Sequence, residues 1–126
     1  MSERKEGVAS PEELRAFVNA AGPSLVVIDV RNPDAVVEPG DETSINVAGL
    51  PSATVRPQAI HLMYDRTTSR MPLPTNIPKD TPIITHCGAG GRGQMAKLFL
   101  EEHGFTNVLN GGGPKETDCW NEFGDK

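Results

Sequence analysis

Apolar runs alternate with amphipathic segments along this chain, and this pattern predicts alternating strands and helices. The run Leu25–Val30 is rich in β-branched residues, which favours a strand buried on both faces. Pro82–His86 and Thr106–Leu109 are two further strand candidates, and a short strand is predicted at Ala53–Val55. This alternation is typical of an α/β domain with a central, mainly parallel sheet flanked by helices.

The first helix is predicted from its capping residues. Ser10 is a preferred N-cap residue, Pro11 suits the first helical position, and Glu13 follows the cap by three residues. Together they form a capping box, in which Ser10 and Glu13 satisfy each other's backbone N–H groups. The helix is therefore predicted to begin at Ser10 and to stop at Gly22.

Two more helices and one long connection complete the predicted pattern. A helix is predicted over Gln94–His103, ending before Gly104, which is a natural C-cap. One apolar face of this helix carries Met95, Leu98 and Phe99. A short helix is expected around Lys115–Phe123, and the stretch Pro57–Pro78 is punctuated by prolines. Within this stretch a solvated connecting loop is predicted, with a wall of the pocket as the alternative, for Met63, Tyr64, Arg66 and Arg70.

Length and charge narrow the class of protein. The chain has 126 residues, so we expect a single domain over residues 1–126, with a flexible terminus over about residues 1–9. A net charge of −5 argues against a nucleic-acid partner. No apolar run approaches the ~20 residues that cross a bilayer, and the chain begins without the apolar core of a signal peptide. We therefore expect no membrane partner.

The candidate chemistry lies in the loop after the Pro82–His86 strand. Cys87 stands where that strand ends, and four glycines and one arginine follow it within six residues. Each glycine has an entropic cost on folding and fills no core. Such a loop is useful if its backbone N–H groups point at the sulfur, because donors at a helix N-terminus bind anions and favour a thiolate. We predict that Cys87 is a nucleophile, which favours the cytoplasm or a reducing organelle lumen.

Asp29 and Arg31 stand at the carboxyl end of the first predicted strand, the edge at which parallel sheets bind ligands. We expect them to form an ion pair that organises the loop, with direct substrate contact as the alternative. His86 points away from Cys87 along the strand, which favours a core histidine over a general base. Cys119 is predicted to be an incidental thiol, and a resolving thiol is the alternative. No metal-ligand spacing is present, so neither a metal nor a cofactor is predicted.

These features resemble the single-domain rhodanese family. The resemblance rests on Asp29-Val30-Arg31 after a buried strand, on Cys87 in a six-residue loop before a helix, and on Gly111-Gly112 after the last strand. It covers about Ser10–Gly113 and implies an α/β sulfurtransferase. In such an enzyme the loop cysteine carries a persulfide from a donor such as thiosulfate to an acceptor, which is cyanide, a small thiol or a protein thiol.

The resemblance also assigns roles within the loop. Cys87 is the sulfur carrier, and Arg92 attracts an anionic donor. The backbone N–H groups of the residues after Cys87 cradle the terminal sulfur. The implied substrate-binding residues are Gly88, Ala89, Gly90, Gly91, Arg92 and Gly93.

Two other functions remain open. Cysteine phosphatases place five residues between the cysteine and the arginine, whereas four residues separate Cys87 from Arg92. A shorter loop fits a single sulfur atom better than a tetrahedral phosphoryl group, whose oxygens an arginine fork grips in pairs. A phosphatase or arsenate reductase is therefore the alternative enzyme. A sulfur-carrier or redox-sensing domain without turnover is the alternative of another class.

Overall fold

A parallel sheet forms the centre of the computed structural model, which describes residues 7–32, 58–88 and 90–124. Within these residues the sheet has four strands in the order β2-β1-β3-β4, and every pair is parallel. The strands are β1 (Val26–Asp29), β2 (Gln58–His61), β3 (Ile83–His86) and β4 (Val108–Asn110). Their carboxyl ends meet at one edge of the sheet, where the candidate site lies.

Three α-helices of the described residues flank the sheet: α1 (Pro11–Ala21), α2 (Gly91–Glu102) and α3 (Thr117–Phe123). The predicted capping box of α1 is present. Ser10 Oγ accepts a hydrogen bond from Glu13 N at 3.1 Å, and Glu13 Oε1 accepts one from Ser10 N at 3.0 Å. Gly22, with a φ of 55°, ends the helix and begins a short 3₁₀ turn, Gly22–Ser24.

The sheet separates two apolar cores, because alternate residues of a strand point to opposite faces. On one face Val27 and Ile84 pack with Leu14 of α1 and with α3. On the other face Ile28 and Ile83 pack with α2. The α/β architecture predicted from the alternating pattern is thereby confirmed.

The stretch Pro57–Pro78 differs from its prediction in two respects. Residues 58–61 form β2, which pairs with β1 in register. Tyr64 and Met71 are each only 7% exposed, because both pack into the core beneath α2. The strand predicted at Ala53–Val55 lies outside the described residues.

Helix α2 also differs from its predicted form. It begins at Gly91 instead of Gln94, so the glycines of the loop supply its first turn. Of the predicted apolar face, Met95 and Leu98 are 43% and 48% exposed, whereas Phe99 packs partly buried against the core. The buried face carries smaller residues, Gly93 and Ala96, together with Leu100, so that the helix lies close to the sheet.

The segment before α1 packs on the sheet. The predicted flexible terminus overlaps the described residues only from residue 7, and there Val8 and Ala9 are buried. Ala9 N donates a hydrogen bond to Asn110 O at 2.9 Å, which extends the sheet beyond β4. Among the described helices, none has the length and apolar character needed to cross a membrane.

Candidate active site

Cys87 lies at the carboxyl edge of the sheet, directly after β3. Its backbone N–H donates to Gly112 O at 3.0 Å, and Gly111 N donates to Thr85 O at 2.8 Å. These two bonds continue the β3–β4 ladder into the loops, so residues 111–115 lie beside the cysteine. We call these residues the wall. Cys87 is 3% exposed and belongs to the core on the α2 side of the sheet.

The chain after Cys87 folds back so that one of its backbone N–H groups points at the Cys87 sulfur. We call residues 87–93 the cradle loop. Gly90 N donates a hydrogen bond to Cys87 Sγ, with 3.1 Å between the two atoms. Gly90 is the N-cap of α2 and has a φ of 121°, a conformation that a residue with a side chain rarely adopts. The sulfur therefore faces a backbone donor at the positive end of a helix dipole, which stabilises a thiolate.

The wall beside Cys87 leaves no room for a side chain at Gly113. A Cβ atom added there would lie 1.9 Å from Cys87 O, and Gly113 has a φ of 141°. The same segment is held a second time beside the cysteine, because Lys115 N donates a hydrogen bond to Gly88 O at 2.9 Å. Close approach of two backbones and a positive φ both require glycine at this position.

Asn110 organises the same region, and the sequence predictions missed it. Its side chain is fully buried, donates from Nδ2 to Gly90 O at 2.9 Å, and accepts at Oδ1 from Gly112 N at 3.0 Å. Thr85 makes a parallel contact, because its Oγ1 donates to Gly93 O at 2.8 Å. The signal available in the sequence was an Asn directly before three glycines, a combination typical of turns in which the side chain bonds backbone.

Asp29 and Arg31 form a buried ion pair behind the site. Arg31 donates from Nη2 to Asp29 Oδ2 at 2.7 Å and from Nε to Oδ1 at 3.0 Å, and both residues are fully buried. Burial alone would raise the pKa of the Asp29 carboxyl. The charge of His86 and the hydrogen bonds from Arg31 outweigh burial and hold this pKa below its ordinary value.

Two histidines flank Asp29 in register, one on each neighbouring strand. The ring of His86 packs against Trp120 at 5.1 Å between centroids, on the face opposite Cys87. Its Nδ1 lies 3.1 Å from Cys87 O and donates to that carbonyl. His61 Nε2 likewise donates to Arg31 O at 2.7 Å, a contact that nothing in the sequence indicated.

The structure brings most of the predicted site residues into one region. Arg92 lies in the first turn of α2 and is 5% exposed, and Gly93 is buried against Asn110. Gly88 and Gly91 also belong to the cradle loop, whereas Ala89 lies outside the described residues. The roles assigned to these residues stay predictions.

Cys119 lies apart from Cys87. It is buried in the core on the α1 and α3 side, where its Sγ donates to Ala9 O at 3.5 Å. Neither cysteine is in a disulfide bond. Across the described parts of the chain, no group of three or more His, Cys, Asp or Glu side chains is arranged to hold a metal ion.

Comparison with known proteins gives a family match. A family model described as "Rhodanese-like domain" matches residues 10–114. A crystal structure of the Alr3790 protein from Anabaena sp. is similar at 19% sequence identity with a TM-score of 0.48, and the match covers 90% of this chain and 84% of that chain. No curated protein matches the chain.

Proposed function

Since the chain belongs to the rhodanese-like domain family, we propose that it is a sulfurtransferase that carries a sulfane sulfur on Cys87. The family supports membership of the sulfurtransferase superfamily, and its domain also occurs in phosphatases and sulfur carriers. The observation that carries the proposal is the Gly90 N–H, which donates to Cys87 Sγ at 3.1 Å from the N-terminus of α2. That donor points at the sulfur atom that would carry negative charge when Cys87 acts as the nucleophile.

The first half-reaction loads sulfur onto the enzyme. The Cys87 thiolate attacks the outer sulfur of a donor such as thiosulfate, and a new S–S bond forms. The bond between the two sulfur atoms of the donor breaks, and sulfite leaves with the electron pair. Arg92, four residues beyond Gly88 and in the first turn of α2, attracts the anionic donor.

The second half-reaction removes that sulfur. A nucleophile, either cyanide or the thiolate of a small molecule or protein, attacks the outer sulfur of the Cys87 persulfide. Thiocyanate or a new persulfide leaves, and the Cys87 thiolate is restored with its electron pair. The N–H of Gly90 and the helix dipole of α2 stabilise negative charge on sulfur in both half-reactions. The chemistry requires neither a metal nor an organic cofactor.

The test compares thiocyanate production from thiosulfate and cyanide by the native chain and by Cys87→Ser. We expect turnover in the native chain and none in the variant, because a serine hydroxyl cannot carry a sulfane sulfur. Cys119→Ala is the matched control and should retain turnover. Mass spectrometry of the native chain incubated with thiosulfate should show one added sulfur atom on the Cys87 peptide.

Other results would point to the alternatives. A persulfide on Cys87 without thiocyanate turnover would favour a sulfur carrier. Absence of both, together with hydrolysis of a phosphate ester that vanadate inhibits, would replace the proposal with a phosphatase. The loop length favours sulfur chemistry over phosphoryl transfer, because only four residues separate Cys87 from Arg92.

A further inference from the structure

We propose that Asn110 is a positioning residue for sulfur transfer, acting through Gly90 to hold the donor that faces Cys87 Sγ. The inference rests on the proposed function of Cys87 as the sulfur carrier. Asn110 does not touch the sulfur. It holds the backbone on both sides of the site, because its two amide atoms bond one residue of the cradle loop and one residue of the wall.

Only a carboxamide satisfies both contacts. Gly112 N is a donor and therefore needs the Oδ1 acceptor, whereas Gly90 O is an acceptor and needs the Nδ2 donor. The orientation of the Asn110 amide follows from its partners. A carboxylate would place an oxygen against Gly90 O, and an apolar side chain would leave two buried backbone groups without this partner.

The Gly90 carbonyl receives two donors, Asn110 Nδ2 and Gln94 N, each at 2.9 Å. The second is the helical bond that starts α2. The first ties the same carbonyl to β4, so it fixes the N-cap against the sheet. With its carbonyl held, Gly90 adopts a φ of 121° and turns its own N–H onto Cys87 Sγ.

The packing around Gly90 and Asn110 supports this role. Gly93 gives Asn110 its space, because a Cβ atom at Gly93 would lie 2.6 Å from Asn110 Oδ1. Val8 closes Gly90 from the other side, where a Cβ atom would lie 2.5 Å from Val8 Cγ2. Gly90 is therefore held at its carbonyl by a hydrogen bond and at its Cα by contact.

The experiment measures how fast iodoacetamide alkylates Cys87 at neutral pH, with the product located by peptide mass mapping. Asn110→Asp keeps the acceptor for Gly112 N, removes the donor to Gly90 O and adds a negative charge, so the uncharged variant Asn110→Ser is measured beside it. We expect alkylation of Cys87 to slow by roughly tenfold or more, the change typical when a hydrogen bond to a charged group is lost. Persulfide formation from thiosulfate should slow by a similar factor.

Val108→Ala is the matched control, because Val108 is buried on the same strand and bonds none of the cradle loop. It should lower the melting temperature and leave Cys87 alkylation within about twofold of the native rate, because it removes none of the hydrogen bonds of Asn110 or Gly90. Native-like alkylation in a folded Asn110→Asp variant would overturn the proposal. So would faster alkylation of buried Cys87 in Asn110→Asp, or an equal loss of alkylation in Val108→Ala, because neither result would single out the Gly90 donor.

If Asn110→Asp does not fold, two other measurements test the proposal: alkylation of a second variant and amide hydrogen exchange in the native chain. Asn110→Ser adds no charge and is too short to bond Gly90 and Gly112 together, so it should slow alkylation in the same direction. In the native chain, the amide hydrogens of Gly90 and Gly112 should exchange slowly with solvent, and fast exchange of either would overturn the proposal. Alkylation needs no sulfur donor, so a native chain that forms no persulfide would remove the proposed function and leave this test valid.

Discussion

At the scale of single residues, the site contrasts two arginines at the same edge of the sheet. Arg31 is fully buried and bonds Asp29 through two nitrogens. Arg92 lies in the helix turn beside Cys87, with 5% of the residue exposed. The first arginine is bound to a carboxylate of the fold, and the second is the one that the family resemblance predicts to attract a donor anion.

The loss of activity on replacing Arg92 should therefore depend on the charge of the sulfur donor. Arg92→Ala should lower kcat/KM for thiosulfate by roughly ten- to a hundredfold, the loss expected for a hydrogen bond to a charged partner. With a neutral persulfide donor the loss should be much smaller. Steady-state kinetics with both donors provide the measurement, and Arg92→Lys should restore part of the thiosulfate activity because it restores the charge. Equal losses with the two donors would show that Arg92 only shapes the loop.

Asp29 makes the free energy of unfolding depend on pH in the acidic range. Its pKa in the folded chain lies below the ordinary value, because His86 and Arg31 outweigh the effect of burial. Ionised Asp29 thus stabilises the fold above the unfolded pKa of about 3.9, and this contribution is lost as the pH falls through the lower folded value.

We expect Asp29→Asn to lower the free energy of unfolding at pH 7 by about 3–5 kcal/mol, because it leaves Arg31 as a buried charge. The difference from the native chain should narrow at pH 3, below the unfolded pKa of about 3.9, because the unfolded native chain takes up a proton there that the folded chain resists. Urea unfolding at both pH values measures it. A difference that stays constant with pH would mean that the charge of Asp29 contributes nothing.

At the scale of elements, the wall after β4 depends on glycine. Gly113→Ala should destabilise the chain by about 2–6 kcal/mol, the sum of a strained φ and an overpacked contact. The Cβ atom would clash with Cys87 O, so the cradle loop must also move and sulfur transfer should fall. Chemical unfolding and thiocyanate assays provide the two readouts.

Gly22→Ala is the control for the strained backbone alone. Gly22 also has a positive φ, but a Cβ atom there meets nothing within 4 Å. Its substitution should cost only about 1–3 kcal/mol and leave sulfur transfer unchanged. If the two variants are equally stable and equally active, the contact with Cys87 O does not constrain the loop.

The elements that the sequence predicted are those with strong local signals. The capping box of α1 and the β-branched run of β1 carry such signals, and both elements form where predicted. Strand β2 was missed because Gln58, Ala59 and His61 have weak strand preferences and follow a proline. It stands at the edge of the described sheet, where pairing on one side suffices and tertiary contacts override local preference.

The helix predicted over Gln94–His103 is present as α2, but the prediction of its buried face was wrong for a related reason. Periodicity identified Met95 and Leu98 as an apolar face, but the helix turns small residues toward the sheet. The first turn of α2 lies close to β3 and β4, so the helix buries the small residues Gly93 and Ala96. The spacing of apolar residues in the sequence does not show that small residues are needed there. Cys87 was identifiable because its glycines are conspicuous in sequence. Asn110 was not, because its role arises from the pairing of β3 with β4.

At the scale of the whole molecule, the sheet keeps the two thiols apart. Cys87 belongs to the core under α2, and Cys119 to the core under α1 and α3. A resolving thiol must reach the persulfide that it attacks, and Cys119 would have to leave its core to do so.

Cys119→Ala should thus leave the rate of sulfur transfer per folded molecule unchanged. It should lower the free energy of unfolding by about 1 kcal/mol, as a small deletion in a core does. Thiocyanate production and urea unfolding measure the two effects. Loss of turnover in a folded Cys119→Ala variant would instead favour the resolving role.

The wall beside Cys87 also links the site to the order of folding. Cys87 N bonds Gly112 O, and Gly88 O bonds Lys115 N, so residues synthesised after Cys87 complete its surroundings. Contacts between distant parts of a chain form late in folding, after the local helices and turns. A nascent chain that ends before Gly112 therefore lacks the wall that fixes the backbone of Cys87 and Gly88. Under the proposed function, the site around Cys87 is thus complete only once the residues from Gly112 to Lys115 have folded against it.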